Sequence, residues 1–312
     1  MDSGERRLRR LELVVTRRLD GLLHGSYLGL LPGLGSEPAG SREYRPGEDE
    51  VRRMDWSVTA RTTVPHVRTV DADRELATWV LVDASASMDF GTAELEKREL
   101  AVAAVAAVGF LTLGNGNRLG AYVIGDRDKR YPARGGRAAL MGLLRTLGET
   151  PRAAGSGSLA RGLQNMRMTR SGLVVIVSDF LDGLDEDGLG AGPPDWEQPL
   201  NRLAARHQVL AVQVGDPREH ELPDVGILTL VDPETGRRRE VPTASRRLRE
   251  RYAAAAAHQQ ATIATAIRRS GAAHLPLRTD RDWIADIVRH VHARRRLSRA
   301  AQKNANKRGR TA

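Results

Sequence analysis

The fold of this chain is indicated most clearly by Trp79-Val80-Leu81-Val82-Asp83-Ala84-Ser85-Ala86-Ser87. The first four residues are apolar enough to form a strand buried on both faces, as the central strands of parallel sheets are. A carboxylate and two hydroxyls follow at alternate positions, where an open α/β sheet has its binding crevice. These oxygens are hard ligands of the kind that Mg²⁺ or Mn²⁺ prefers, whereas cysteine or histidine would favour zinc. The stretch therefore predicts a parallel strand with a cation site at its end.

Two further segments extend this predicted site. Residues 173–179 form a second apolar run that ends in a carboxylate, and residues 155–159 form a small-residue loop that enters a helical stretch. Each polar residue taken singly could be a helix cap or a turn residue, since Ser and Asp favour both. Five caps arranged in this way are a weaker explanation than one shared ion. We therefore predict that Mg²⁺ or Mn²⁺ is held, directly or through water, by Asp83, Ser85, Ser87, Ser158 and Asp179.

The order of these residues resembles the metal-ion-dependent adhesion site of von Willebrand factor A domains. Asp83, Ser85 and Ser87 match the first loop of that site. Ser158 stands where that family usually has Thr, and Asp179 matches the Asp of the third loop. The resemblance implies an ion with an unsatisfied position that accepts a carboxylate from a partner, and thus binding rather than catalysis.

The pattern of the whole chain predicts an α/β fold. From residue 77 onward, strand-like runs alternate with helical stretches, which is typical of a mainly parallel, doubly wound sheet with helices on both faces. Residues 5–24 have apolar residues at helical spacing, and residues 226–241 predict a hairpin. We assign the chain to an N-terminal helix with a small β-rich segment (1–75), a von Willebrand factor A-like domain (76–297) and a basic, disordered tail (298–312).

A second resemblance rests on the charged segment around residues 42–61. It reads Arg42-Glu43-Tyr44-Arg45-Pro46-Gly47-Glu48-Asp49, followed by Arg52-Arg53-Met54-Asp55-Trp56. Together with Asp83-Ala84-Ser85-Ala86-Ser87-Met88, Ser178-Asp179-Phe180 and Asp216-Pro217, it resembles bacterial domain-of-unknown-function family fifty-eight over residues 25–245. Members carry a von Willebrand factor A-like domain. The resemblance implies an adaptor or co-chaperone of a MoxR-type AAA+ ATPase, with a client protein as a possible second partner.

The charged segment itself has a structural interpretation. Its alternating basic and acidic residues predict internal salt bridges, which are usual on a surface segment of mixed charge. We expect Trp56 to anchor a small core, since large aromatic side chains are usually buried. At the other strand end, we expect Phe180 and the loop after Asp182 to share one rim with the ion.

Composition limits the partners and the compartment. The formal charge is +10, but nine Lys or Arg residues follow the last acidic residue, Asp286, so the excess lies in the tail. Such a tail binds polyanions weakly, and without interleaved aromatic residues we predict no specific nucleic acid. The chain has no Cys, no apolar stretch of about 20 residues and no apolar leader. We therefore predict a cytoplasmic protein without membrane insertion.

Two alternatives remain open. A haloacid-dehalogenase-like phosphotransferase also has a nucleophilic Asp at a strand end, and Asp179 with Asp182 would match its second acidic pair. That chemistry needs a carboxylate where this chain has Ser85, and a hydroxyl cannot shuttle protons at neutral pH. The other alternative is a metal-free interaction scaffold with a polyanion-binding tail. We predict that the chain is not an enzyme.

Overall fold

The computed structural model describes residues 3–23, 41–45, 51, 54–68, 77–112, 117–150, 157–168, 171–184, 192–232 and 236–308. The helices are α1 Ser3–Leu23, α2 Trp56–Thr62, α3 Lys97–Thr112, α4 Arg137–Gly148, α5 Leu159–Asn165, α6 Glu197–Ala204, α7 Arg246–Arg269 and α8 Trp283–Arg308. The strands are β1 Ser41–Glu43, β2 His66–Arg68, β3 Ala77–Asp83, β4 Arg118–Ile124, β5 Lys129–Gly135, β6 Leu173–Ser178, β7 Gln208–Gly215, β8 Ile227–Val231, β9 Arg238–Pro242 and β10 Ala273–Arg278.

The main sheet has six strands in the order β10-β7-β6-β3-β4-β5. All neighbouring strands are parallel except β4 and β5, which are antiparallel at one edge. The chain enters at the central strand β3 and then builds outward in both directions, so the strand order reverses beside β3. Open α/β sheets bind their ligands at the carboxyl ends of the strands beside such a reversal. The predicted fold class is confirmed.

Helices cover both faces of the sheet because the buried strands carry apolar residues on both sides. Val80 and Val82 of β3 belong to a core with α1, α3, α4 and α8. Trp79 and Leu81 point to the opposite face and pack with α5, α6 and α7. This alternation follows from the two-residue period of a strand. The ends of β3 and β6 are thereby held between two packed layers.

The N-terminal helix shares the core of the sheet. Val15 and Leu19 of α1 are fully buried in the cluster that also contains α3 and α4. Arg137 Nη2 at the start of α4 donates to Glu12 Oε2 at 2.8 Å, which adds a polar contact between the two helices. The helix predicted over residues 5–24 is therefore present and packs directly on the sheet domain.

The segment around α2 differs from its prediction. Trp56 is 64% exposed, so the expectation that it anchors a core was wrong. It is the first residue of a short helix that buries none of its residues and begins at the N-cap Asp55, whose carboxylate accepts from Ser57 N and Val58 N. Besides this cap, Asp55 N donates to the carbonyl oxygen of His66 at 2.7 Å and His66 N donates to Thr59 Oγ1 at 3.0 Å, so hydrogen bonds tie the helix to β2. Residues 46–50 and 52–53, which carry many of the predicted salt-bridge partners, lie outside the described residues.

The predicted hairpin is found in the structure, whereas the C-terminal segment differs from its prediction. The predicted hairpin is present as β8 and β9, which pair antiparallel; its turn residues 233–235 lie outside the described residues.

Helix α8 continues through Arg308, whereas the sequence predicts disorder from residue 298. The segment 298–308 contains Ala, Arg, Lys and Gln but no Gly or Pro, so the helix propagates once its first turns are packed. None of the described helices is long and apolar enough to cross a membrane.

Candidate functional site

The two predicted carboxylates meet at adjacent strand ends. Asp83 is the last residue of β3, and Asp179 directly follows β6, which pairs in parallel with β3. Each residue is only 3% exposed. Asp83 Oδ2 accepts from Ser178 Oγ at 2.7 Å, and Asp83 Oδ1 accepts from the backbone N of Ser85 at 2.9 Å. Parallel pairing and these bonds hold the two carboxyl groups at one edge of the sheet.

Two serine hydroxyls connect the carboxylates. Ser85 Oγ lies 3.1 Å from Ser87 Oγ, and Ser87 Oγ donates to Asp179 Oδ2 at 2.8 Å. Ser85 precedes a 3₁₀ turn over Ala86–Asp89, but its side chain makes no capping hydrogen bond to that turn. The hydroxyl of Ser85 therefore faces the site, and the alternative in which it merely caps the following helix is not what the geometry displays.

Ser158 has a different environment from the other four predicted residues. It is the N-cap of α5, and its Oγ accepts from Arg161 N at 3.2 Å. Gly157, which precedes it, lies against the end of β4, where a Cβ added to Gly157 would be 3.0 Å from Gly125 N. Asp182 Oδ2 accepts from Leu159 N at 2.7 Å and ties this helix start to the chain after β6. Ser158 thus lies on a loop at the same edge of the sheet, with its hydroxyl used as a helix cap.

Phe180 does not lie on the rim, contrary to the sequence expectation. It is fully buried, and its ring contacts Trp196 edge-on with centroids 5.3 Å apart. Its φ of 61° is in the left-handed region, which a bulky residue rarely adopts. The backbone turns inward here because Phe180 N donates to Ser178 Oγ at 3.0 Å and Leu181 N donates to Asp179 Oδ1 at 3.0 Å. Phe90, three residues after Ser87 in the sequence, is 37% exposed.

Lys97 is a site residue that the sequence analysis missed. It is the first residue of α3, has 0% side-chain exposure, and donates from Nζ to Asp179 Oδ2 at 2.8 Å. The same ammonium donates to Glu219 Oε1 at 2.5 Å. One signal was available: a lysine at the N-terminus of a very apolar helix opposes the helix dipole and needs a compensating acid. The distant Glu219 could not be identified as that acid from sequence spacing.

Asp216 holds the surrounding loops together. Its carboxylate accepts from Thr92 N at 2.8 Å, Thr92 Oγ1 at 2.6 Å, Thr279 Oγ1 at 2.7 Å and Arg218 N at 3.0 Å. Its own backbone N donates to Glu219 Oε2 at 2.9 Å. The Asp216-Pro217 motif therefore positions Glu219 against Lys97 and fastens the loop after the Asp-x-Ser-x-Ser turn.

The electrostatics of the site follow from burial and unequal pairing. Burial, together with the charge of Asp179, raises the pKa of Asp83 to about 6. Burial also opposes ionisation of Asp179, but the Lys97 ammonium and the hydrogen bonds from Leu181 N and Ser87 together outweigh it and hold the pKa of Asp179 below its usual range. The pKa of Glu219 is raised by burial, which exceeds the effect of Lys97. Despite its burial, Lys97 has a raised pKa because of its two acidic neighbours.

The donor set fits a divalent cation. Two carboxylates and two hydroxyls are hard oxygen ligands, and a cation between them would offset the charge of Asp179 that adds to burial in raising the pKa of Asp83. With Asp83, Asp179 and Glu219 ionised, the single ammonium of Lys97 leaves two negative charges. Within the described ranges, no group of three or more His, Cys, Asp or Glu side chains is placed to hold a metal. An ion here would therefore depend on the serine hydroxyls as well as on the carboxylates.

The fold and this edge define a class of protein. The sheet is doubly wound from its central strand β3. An Asp-x-Ser-x-Ser sequence begins at the end of β3, and an Asp follows the neighbouring strand β6. This combination defines a von Willebrand factor A-like domain. The chain belongs to the family described as protein of unknown function DUF58, whose sequence profile matches residues 40–262. The family predicted from the sequence is thus confirmed.

Relatives at high identity come from mycobacteria. An uncharacterized protein of Mycobacterium tuberculosis is 54% identical over 294 residues, which are 93% of this chain and 89% of that protein. A protein of Mycobacterium bovis, also uncharacterized, has the same values. An uncharacterized protein of Mycobacterium avium is 50% identical over 171 residues, 54% of this chain and 95% of its own length.

Solved structures with a related shape are more distant. The conserved hypothetical protein BatB from Bacteroides thetaiotaomicron has a TM-score of 0.38 at 12% identity, covering 74% of this chain and 99% of its own. The SpRpn10 VWA domain has a TM-score of 0.38 at 15% identity, covering 68% of this chain and 93% of its own. Proximal thread matrix protein 1 from the mussel byssus, with a zinc-occupied MIDAS motif, has a TM-score of 0.31 at 17% identity over 46% of this chain and 39% of its own.

Proposed function

We propose that this protein is a metal-dependent protein-interaction module whose binding surface surrounds the ends of β3 and β6. The observation that carries the proposal is the buried pair Asp83 and Asp179, joined through Ser85 and Ser87. Two buried carboxylates with one raised pKa favour a cation, and hydroxyl ligands add no further negative charge. An ion bound by these ligands would still have a coordination position for an anionic ligand from outside the chain.

The residues proposed to hold Mg²⁺ or Mn²⁺ are Asp83, Ser85, Ser87 and Asp179, with Ser158 contributing from the neighbouring loop. The bound ion would supply a position for a carboxylate of the partner. Around it, the loop that carries Phe90 offers apolar contact, and Thr92 fastens that loop to Asp216. An acidic side chain beside an apolar one is therefore the partner feature that this surface fits.

The proposed partner is a MoxR-type AAA+ ATPase, for which the protein would be a cytoplasmic adaptor or co-chaperone, with a client protein as a further ligand. This part of the proposal is supported by the family resemblance alone. Catalysis has weaker support. A phosphotransferase of this kind needs a carboxylate two residues after the nucleophilic Asp, and this chain has Ser85 there. The Asp182 carboxylate of the second acidic pair accepts a hydrogen bond from Leu159 N.

The ion is tested by thermal unfolding of the full chain with EDTA and with millimolar Mg²⁺ or Mn²⁺. A ligand that binds only the folded state raises the melting temperature by mass action. At a ligand concentration 100-fold above Kd, it adds about 2.7 kcal/mol to the free energy of unfolding. We expect this rise in the wild type and its loss in Asp83→Ala. Glu250→Ala is the matched control, because it removes a carboxylate from an exposed pair on α7. Equal responses in the wild type and Asp83→Ala would refute the ion site.

The partner is tested by capture of a purified MoxR-type ATPase on immobilised protein. We expect EDTA and Asp179→Ala each to reduce capture, with added Mg²⁺ restoring only the wild type. Glu250→Ala should capture the ATPase as the wild type does. Purified protein should hydrolyse neither ATP nor a phosphoester. Turnover that disappears in Asp83→Asn would overturn the binding function in favour of the phosphotransferase alternative.

A further inference from the structure

Lys97 is unusual because its ammonium is completely removed from solvent. Lysine is almost never fully buried unless it is paired, and the side chain of Lys97 has 0% exposure. A buried ion pair is weak evidence for stability, since an apolar side chain of similar volume often serves as well. The charge of Lys97 therefore calls for an explanation other than packing.

The ammonium occupies the same oxygen that the ion site needs. Asp179 Oδ2 accepts both from Lys97 Nζ and from Ser87 Oγ, each at 2.8 Å. Asp179 Oδ1 accepts from Leu181 N. Any cation that approached Asp179 would meet a positive charge already bound to this carboxylate, and like charges at such short range repel strongly in a buried site.

Glu219 offers the ammonium a second acceptor. Its Oε1 lies 2.5 Å from Lys97 Nζ, and its Oε2 is held by Asp216 N at 2.9 Å. The Glu219 side chain is 21% exposed, so it lies on the solvent side of the ammonium. Lys97 can therefore give up Asp179 and stay paired with Glu219, without leaving a buried charge uncompensated.

We propose that Lys97 is the resident cation of this site and determines its affinity for divalent ions. Lys97 neutralises Asp179 in the ion-free protein and competes with an incoming divalent ion for that carboxylate. Glu219 retains the ammonium when Asp179 is given up, and so lowers the barrier to exchange. The inference rests on the proposed ion site and adds the residue that limits its occupancy.

The test is a calorimetric titration of the full chain with Mn²⁺ and with Mg²⁺. Lys97→Met keeps the apolar stem and removes the charge, so we expect its Kd to be at least tenfold lower than that of the wild type. Glu219→Gln keeps an oxygen acceptor but removes the negative charge that would retain the ammonium, and it should weaken binding at least threefold. Arg246→Met is the matched control, because it removes an exposed cation on α7 that pairs with Glu250; its Kd should change less than twofold.

A second readout is the melting temperature in EDTA. Lys97→Met should have a lower melting temperature than the wild type in EDTA, because Asp179 loses its counter-charge. Added Mn²⁺ should abolish this difference in melting temperature. If Lys97→Met is too unstable to titrate, Lys97→Gln, which keeps a neutral donor toward Asp179, takes its place and should also bind the ion more tightly than the wild type. Unchanged or tighter binding by Glu219→Gln would overturn the role of Glu219 as the second acceptor.

The outcomes separate this inference from the proposed function. Ion binding by the wild type without any gain in Lys97→Met would overturn the competition and leave the ion site standing. Binding by Lys97→Met but not by the wild type would support the competition and refute an ion-dependent function in the native protein. Binding by neither protein would refute both proposals.

Discussion

His274 on β10 is part of a partly buried chain of polar side chains. Its Nε2 lies 2.9 Å from Gln213 Oε1, and Gln213 Nε2 donates to Gln260 Oε1 at 2.8 Å. An amide oxygen can only accept, so His274 Nε2 carries the proton of a neutral ring. Gln213 Nε2 also lies 3.5 Å from the carbonyl oxygen of Asp179. Neutral His274 therefore supports the strand end that carries the site.

This arrangement predicts a pH-dependent loss of stability. Burial, with a smaller contribution from Arg268, lowers the pKa of His274 to about 4. The unfolded chain therefore takes up a proton first as the pH falls, and the stabilisation present above pH 6.5 is lost between about 6.5 and 4. Allowing for partial exposure, we expect His274 to account for about 2 kcal/mol of this loss.

The measurement is denaturant unfolding of the wild type and of His274→Gln in EDTA from pH 7 to pH 4. Gln keeps a neutral donor toward Gln213 but cannot titrate. The free energy of unfolding of the wild type should fall relative to that of the variant as the solution is acidified. A difference between the two proteins that stays constant with pH would contradict the assignment.

At the scale of elements, α1 illustrates how apolar periodicity becomes packing. Leu19 is fully buried against the sheet domain, whereas Leu13 on the opposite side of the helix is 55% exposed. Burying the Leu19 side chain removes it from water and fills space that a smaller residue would leave empty. If α1 contributes to the core of the sheet, its buried face should affect the melting of the whole protein.

We expect Leu19→Ala to destabilise the protein by about 2–5 kcal/mol and to lower the single melting transition. Leu13→Ala is the matched control, with an effect within about 0.5 kcal/mol because the site is at the surface. Circular dichroism melts of both variants provide the comparison. Equal, small effects would imply that α1 is not coupled to the sheet domain.

The strand ends and loops form a second kind of element whose role depends on partners far along the chain. The 3₁₀ turn after β3 directs Ser87 toward Asp179, the start of α3 brings Lys97 to the same carboxylate, and the turn after β7 adds Glu219. These three contacts join segments that follow different strands of the sheet. Their common position at one sheet edge is a consequence of parallel strand pairing.

For the molecule as a whole, the basic C-terminus is distinct from the core. The buried apolar residues of α8 extend from Trp283 to Val291, and Leu297 is 65% exposed. Residues 298–312 contain Arg299, Lys303, Lys307, Arg308 and Arg310 and no acidic residue. The charge of this segment, rather than its packing, is the property that a truncation should remove.

Deleting residues 298–312 should therefore leave the melting temperature and the response to Mg²⁺ within error of the full chain. It should also lower the salt concentration at which the protein elutes from heparin, because fewer phosphate-like or sulfate groups are neutralised. A cooperative loss of folding on truncation would show that α8 needs its last turns. An unchanged elution would place the polyanion affinity elsewhere.

The amino-acid sequence by itself determined the fold class and most of the candidate site. Strand burial on both faces requires continuous apolar runs such as residues 79–82, and a parallel sheet places the polar residues after those runs at one edge. Asp83, Ser85, Ser87 and Asp179 could therefore be assigned before any coordinates. The family and the hairpin were likewise evident from local patterns.

Only the tertiary structure decided how those residues are satisfied. The pairing of Lys97 with Asp179 and Glu219 joins positions far apart in sequence, and the position of Lys97 at the start of an apolar helix indicates a need for an acid without identifying which one. The same holds for Phe180, whose ring packs edge-on against Trp196, and for Trp56, which begins a helix that buries none of its residues. Periodicity specifies which face of an element is apolar, whereas the identity of each neighbour follows from how the elements pack in space.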